Sequence, residues 1–412
     1  MAKLFGTDGM RGEAGRFPLD AATVRVVGRS LSRHLSEGIG GRAPRIVVGR
    51  VISASHNPYQ DNGIKIFSPS GRKLDDATER LIEADIEAEK GNNSTGVGIE
   101  QDDAREDEAD ALRADVLRER YLNYLAEEVA DKLGLEGLKI VLDCANGAAY
   151  GLAPMLFERL GASVIAINNT PDGRNINRDC GSLHIEGLRE KVMSEAADLG
   201  VAFDGDADRS LFVDARGRFV DGDATLWVMA KYLQERGRLE GGLVVATVMS
   251  NIGLEIALRS KGLRLLRADV GDKYVLEELL RTHAALGGEQ SGHIIFPRLS
   301  LAGDGMITTV CLLRAMREAR ASLDELTAGF TRYPQVLVNV RVREKPPFSE
   351  VEEIERAARE TEERLGDSGR LLLRYSGTEP LARIMIEGER QDLIEEYANS
   401  LARVIREAIG ER

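Results

Sequence analysis

Three times in the middle of this chain an apolar run gives way to a polar turn and then to an amphipathic helix. No other feature constrains the fold as much. Leu138–Asp143 reads as a strand, Cys144-Ala145-Asn146-Gly147 as a turn, Gly151–Leu160 as a helix and Ser163–Ile167 as the next strand. The order repeats at Leu243–Thr247 with Asn251–Ser260, and at Leu263–Ala268 with Lys273–Arg281. Strands alternating with helices of this length predict α/β domains with mainly parallel sheets. Ahead of them, Glu87–Asp107 is polar and charged and predicts a loop before a long helix over Glu108–Lys132. Asp214-Ala215-Arg216-Gly217-Arg218 reads as a hairpin turn, and Asp221-Gly222-Asp223 as a helix cap. Near Thr331–Gln335 the pattern changes. Val336–Val342 alternates as a strand, Ser349–Leu365 is a charged helix, Arg370–Arg374 a strand and Gln391–Ile409 a closing helix. That piece predicts a separate C-terminal domain, within a chain whose 412 residues suffice for two to four.

Composition narrows the class. No apolar run reaches the length of a membrane span, and MAKLFGTDGM lacks the apolar core of a signal peptide. Cys144, Cys180 and Cys311 are scattered and odd in number, which predicts a reducing cytoplasm rather than a disulfide framework. A net charge of −13 argues against a nucleic-acid or anionic-membrane surface. If such a chain handles anionic ligands, its arginines must be placed locally.

The segment Val51–Gly71 carries the first chemical signal. Val51 and Ile52 run into Ser53-Ala54-Ser55-His56-Asn57-Pro58. Proline fixes its own backbone and pushes Asn57 out of the helical region, so the turn is rigid and is expected to present Ser55 to solvent or substrate. An alternating strand with one cation, Ile64-Lys65-Ile66-Phe67, returns from it. Rigid turn, adjacent His56 and a returning Lys65 together read as a nucleophile site. One join is odd: Arg45–Arg50 looks like a strand and its exit, yet Val51 starts another strand at once. Parallel neighbours need a crossover of a dozen or more residues, so a segment is apparently missing at 50/51.

Three further words carry chemistry. In Asp204-Gly205-Asp206-Ala207-Asp208-Arg209, alternate carboxylates at a strand end can converge on one hard cation. An EF-hand loop is excluded, because Arg209 stands where its glycine belongs and Ala215 where its glutamate belongs. The competing reading is an acidic surface turn. In Gly287-Gly288-Glu289-Gln290-Ser291-Gly292-His293, Glu289 and Ser291 would project to one side and could grip adjacent hydroxyls, unless the word is only a capped turn. In Arg374-Tyr375-Ser376-Gly377-Thr378-Glu379-Pro380, with Arg383 beyond, hydroxyls, a glycine and two arginines read as an anion cradle, the competing reading being a polar turn with flanking surface arginines. No GxxxxGK[ST] word is present, so a nucleotide is not indicated. Gly303-Asp304-Gly305 reads as a helix start.

ASHNP followed by NGIK resembles the phosphoserine loop of the α-D-phosphohexomutases, and DGDADR, GEQSG and RYSGTEP resemble that family's metal, sugar and phosphate loops. Phe5–Gly12 (FGTDGMRG) and Gln290 resemble the branch acting on glucosamine phosphates. The resemblance covers nearly the whole chain. It implies an α/β, four-domain phosphohexomutase-like architecture: three similar α/β domains with mixed sheets plus a C-terminal α+β domain around a central cleft. The expected divisions are 1–110, 111–213, 214–332 and 333–412. The implied activity is that of an intramolecular phosphotransferase of the isomerase class, interconverting glucosamine 6-phosphate and glucosamine 1-phosphate through phosphorylated Ser55 and a 1,6-bisphosphate. Arg11, His56 and Lys65 would support Ser55. One Mg²⁺ would sit on Ser55, Asp204, Asp206 and Asp208. Substrate would be held by Arg209, Lys273, Glu289, Ser291, Arg374, Ser376, Gly377, Thr378 and Arg383. The expected partner is a hexosamine phosphate, with no nucleic acid or membrane, acting on a monomer or homodimer. A phosphomannomutase/phosphoglucomutase of the same family, or a catalytically inactive sugar-phosphate-binding protein, are the alternatives.

Overall fold

The computed structural model describes residues 4–6, 9–37, 55–66, 73–91, 108–376 and 379–411. The Arg50–Val51 join, Gly377 and Thr378 lie outside them. In the first domain β1 (Phe5–Gly6), β2 (Gly9–Gly12) and β3 (Asn62–Ile64) form an antiparallel sheet, with α1 (Ala21–Glu37) following β2 and α2 (Asp76–Gly91) following β3. Asp20 caps α1, its Oδ1 accepting from Thr23 N at 3.0 Å. Met10, Val27, Leu31, Ile82 and Ile86 close a core between the two helices and the sheet. The helix α2 runs to Gly91, four residues past the expected start of the loop at Glu87, because Ile82 and Ile86 keep its apolar face on that core.

Helix α3 (Glu108–Asn123) continues as one π-helical segment, Tyr124–Val129, into the second domain. There β4 (Lys139–Asp143), α4 (Ala149–Arg159), β5 (Ser163–Ile167), α5 (Glu186–Glu195), β6 (Leu199–Phe203), β7 (Ser210–Asp214) and β8 (Phe219–Val220) build a sheet of order β5-β4-β6-β7-β8. The β5-β4-β6 part is parallel and the β7-β8 hairpin antiparallel, so the sheet is mixed. Alternate residues of β4 take opposite faces. Ile140 and Leu142 pack with Leu156 and Phe157 of α4, and Val141 packs with Leu188 and Val192 of α5. A strand buried on both faces reads as a continuous apolar run, as this one does.

The third domain repeats the scheme with α6 (Gly222–Glu235), β9 (Leu243–Thr247), α7 (Ile252–Ser260), β10 (Arg264–Ala268), α8 (Asp272–Thr282), β11 (Gly287–Gly288), β12 (Ile294–Ile295), α9 (Gly305–Ala319) and the short α10 (Leu323–Leu326). Sheet order is β10-β9-β11-β12, with only β12 antiparallel. Trp227 of α6 and Phe157 of α4 belong to one apolar cluster that spans the second and third domains. The fourth domain has its own core. Its β13 (Gln335–Arg341), α11 (Glu352–Leu365), β14 (Arg370–Tyr375), β15 (Leu381–Glu387) and α12 (Gln391–Ile409) form an antiparallel β13-β15-β14 sheet. Ile384 and Ile386 of that sheet pack on Leu401 and Ile405 of α12. The loops after β6 and β9 leave the carboxyl ends of parallel strands, where open α/β sheets place their ligands.

Candidate active site

Residues Asp204–Arg209 leave β6 at Phe203 and turn back into β7 at Ser210. One carboxylate oxygen each of Asp204, Asp206 and Asp208 lies within 4.8 Å of the others. Three converging anions need compensation, and Lys65 supplies part of it: its Nζ donates to Asp206 Oδ2 at 2.7 Å and Asp208 Oδ2 at 2.9 Å. Burial opposes the Lys65 charge, but Asp208 and Asp206 outweigh it and raise its pKa. Asp204 is fully buried; burial, then Asp208 and Asp206, push its carboxyl well above the ordinary range. Burial would raise Asp208 too, but His293, Lys65 and Arg209 hold it well below. Asp208 Oδ1 is buried without a hydrogen bond among the described residues. Three converging oxygen donors, one of them with an unused acceptor, fit a hard divalent cation.

Ser55 meets this loop from the first domain. Its Oγ lies 3.4 Å from Asp204 Oδ2 and 3.2 Å from His56 Nδ1. Arg209 Nη1 lies 2.9 Å from the same Nδ1. A guanidinium only donates, so that nitrogen accepts, and the hydroxyl hydrogen of Ser55 is directed at Asp204. Ser55 is fully buried, which corrects the expected solvent-facing hydroxyl. The cause is tertiary: Gly205 N donates to Ser55 O at 2.8 Å, and Asn177 Nδ2 to the same oxygen at 2.7 Å. Arg11, on β2 opposite Gly63, faces Asp61 at 4.0 Å.

The Glu289–His293 loop closes with Glu289 N donating to His293 O and Gly292 N to Glu289 O, both at 3.0 Å. The first residue of α6 packs beneath it. A Cβ on Gly222 would stand 2.0 Å from Glu289 O, so only glycine allows that approach. Ser291 Oγ lies 3.4 Å from Glu289 Oε2, and both side chains line a pocket with Gln290, His56, Arg209 and Met249. Gln290 Nε2 is buried with no hydrogen-bond partner among the described residues. In the fourth domain Arg374 and Arg383 are cross-strand partners. Arg383 Nη2 donates to Ser376 Oγ at 3.3 Å and Glu379 Oε2 at 3.1 Å, and Arg374 Nη2 reaches Met249 Sδ at 3.9 Å.

Comparison with known proteins decides the family. Models of phosphoglucomutase/phosphomannomutase match in four parts: alpha/beta/alpha domain I over residues 51–93, domain II over 119–217, domain III over 221–333 and the C-terminal domain over 337–404. Phosphoglucosamine mutase of Solibacter usitatus is 43% identical, covering 100% of both chains, and that of Geobacter sp. is 41% identical, covering 100% of this chain and 99% of its own. The chain belongs to the phosphoglucosamine mutases. Two solved structures share the fold. A phosphoglucomutase/phosphomannomutase family protein of Burkholderia thailandensis has a TM-score of 0.75 at 22% identity, covering 98% of this chain and 97% of its own. The N-acetylphosphoglucosamine mutase of Aspergillus fumigatus in complex with GlcNAc-6P and magnesium has a TM-score of 0.67 at 20% identity, covering 98% and 96%. The domain I match begins at Val51, the second residue of the odd join. The Solibacter alignment spans 462 positions against 412 residues, so at least 50 positions of that mutase have no counterpart here.

Among the residues predicted from the sequence, the structure gathers Ser55, His56, Lys65, Asp204, Asp206, Asp208 and Arg209 through direct contacts, and sets Glu289 and Ser291 in the adjoining pocket. Lys273 does not join them. Its Nζ lies 2.5 Å from Asp76 Oδ1 and 3.8 Å from Glu79 Oε2, while Lys73 lies 2.6 Å from Asp272 Oδ2, so it ties α8 to the first domain instead. Two residues at the site were given no role from the sequence. His293 is buried between Asp208 at 3.5 Å and Asp272 at 3.6 Å, and Asn177 reaches Ser55 from a polar loop. His293 ends the quoted sugar-loop word, whereas nothing local marks Asn177.

Proposed function

We propose that this protein interconverts glucosamine 6-phosphate and glucosamine 1-phosphate, with Ser55 carrying a phosphoryl group between turnovers. The observation that carries the reading is the Ser55 hydroxyl 3.4 Å from Asp204 at the head of the carboxylate cluster. The bond from phosphorus to Ser55 Oγ breaks as one forms to the oxygen of the free sugar hydroxyl, whose proton ends on the departing Oγ, giving a 1,6-bisphosphate and free Ser55. That sugar reorients and returns its other phosphoryl group to Ser55. His56, with Nδ1 already accepting from Arg209, orients the serine rather than removing its proton. Lys65 and Arg11 add positive charge near the transferring group. Mg²⁺ on Asp204, Asp206 and Asp208, with a phosphoryl oxygen of Ser55, would offset charge on the group in transfer.

Sugar hydroxyls fall to Glu289 and Ser291, and the unpartnered Gln290 Nε2 offers a donor beside them. Arg374, Ser376, Gly377, Thr378 and Arg383 would grip whichever phosphate is not reacting, which lets one cleft serve both orientations. A mutase assay on glucosamine, glucose and mannose phosphates tests the reading, together with intact mass before and after Ser55→Ala. Preferred turnover of glucosamine phosphate and a phosphoryl adduct lost in the variant are expected. Faster turnover of mannose or glucose phosphate, or an adduct that survives in Ser55→Ala, refutes it.

A further inference from the structure

We infer that Asn177 is a positioning residue for phosphoryl transfer, a clamp from the second domain that holds the serine loop of the first in its reactive conformation. This rests on Ser55 as the phosphoryl carrier. Asn177 Nδ2 donates to Ser55 O at 2.7 Å and to Asn57 O at 2.8 Å, gripping the carbonyls on either side of His56 with both amide hydrogens. Ser55 has a φ of 50°, the left-handed region that side chains beyond glycine, Asn and Asp avoid. Such backbone persists only where its surroundings over-determine it. Asn177, with Gly205 N on the same Ser55 carbonyl, is that surrounding.

The clamp is itself braced. Asn177 has a φ of 56° and its N–H donates to Ala145 O at 2.9 Å. The buried carboxylate of Asp143 accepts from Ala145 N at 3.0 Å and Gly181 N at 2.9 Å, tying together both loops that frame Asn177. Gly205 belongs to the carboxylate loop, and a Cβ there would stand 2.5 Å from Ser55 O and 2.8 Å from Asn177 Nδ2. The serine carbonyl is therefore registered against the metal loop and against Asn177 at once. Releasing it lets Ser55 leave the left-handed region and swings Oγ away from Asp204.

Two variants keep the backbone. Asn177→Gly tolerates the positive φ and removes the donor; Asn177→Asp keeps shape and φ but sets a carboxylate against two carbonyls. Purified full-length variants would be assayed for glucosamine 6-phosphate turnover beside wild type and Ser55→Ala. Misplacing reacting atoms by about 1 Å costs on the order of 100-fold, so kcat should fall roughly 100-fold in both. KM should stay within about twofold, because among the described residues no hydrogen bond joins Asn177 to a pocket or cradle side chain; the midpoint should fall modestly for the carbonyls left unmet, so the split between kcat and KM is the deciding readout. Wild-type kcat in either variant with Ser55→Ala inactive overturns the clamp alone. A loss of kcat that arrives with raised KM and a lowered midpoint also overturns it, as general destabilisation. An active Ser55→Ala removes the carrier reading on which the clamp depends.

Discussion

Glu387, the last residue of β15, is fully buried where the fourth domain meets the third, and its removal makes the sharpest stability test. Its Oε1 accepts from Asn251 Nδ2 at 3.1 Å; its Oε2 accepts from Ile252 N at 3.1 Å and from Arg370 Nε at 3.0 Å. Arg370 also donates to Ser250 O at 3.2 Å. Asn251 in turn holds the interdomain residue Tyr333 by both its N–H and its carbonyl. Burial raises the Glu387 carboxyl even against Arg370 and Arg267, and burial lowers Arg370, so desolvation is a heavy charge on the pair. Breaking a buried pair from one side strands the other ion, at about 3–5 kcal/mol for Glu387→Ala. Removing both ions in Arg370→Met/Glu387→Met should cost less, about 1–3 kcal/mol for the donors of Asn251 and Ile252 left unsatisfied. Urea unfolding, followed by hydrogen exchange in β15 so that the fourth domain is read by itself, measures each step. If the two single losses add up in the double variant, or if Glu387→Ala costs under about 0.5 kcal/mol, the reasoning fails.

Asp206→Asn should weaken Mg²⁺ binding by more than about 10-fold in calorimetric titration, since loss of a direct ligand exceeds the loss of an outer partner. Unchanged affinity would remove Asp206 from the ligand set. Arg383→Ala should raise KM roughly 10- to 150-fold, the equivalent of about 1.5–3 kcal/mol for a charge-assisted hydrogen bond, in both directions of the reaction. A defect in one direction only counts against a shared phosphate cradle. Burial, with Asp221 alongside, pushes the Asp223 carboxyl from its ordinary 3.8 up to about 7. A raised folded value means its contribution is intact below about pH 4 and is lost as pH climbs towards 7. Asp223→Asn should therefore lose less stability than wild type between about pH 4 and pH 7, and parallel melting profiles across that window would contradict this.

Local order was legible in the sequence wherever one periodicity dominates. Strands Ser163–Ile167 and Leu243–Thr247 and helix Gln391–Ile409 lie where the apolar pattern puts them. Asp221 and Asp304 cap the helices that follow them, as their place before apolar runs implies. The acidic loop was visible for the same reason: alternate carboxylates closing an apolar strand are a local pattern, and they do converge in the structure. What the sequence could not state is which distant atoms meet. Asn177 and Ser55 are 122 positions apart, and Asn251 and Glu387 are 136. No turn or helix repeat spans such separations. Domain packing alone decides that Ser55 is buried, that Lys273 pairs with Asp76 rather than entering the pocket, and that an unremarked asparagine holds the serine loop. Periodicity records which face of an element is apolar; only the assembled domains bring one element's polar end against another's, and the catalytic geometry is made there.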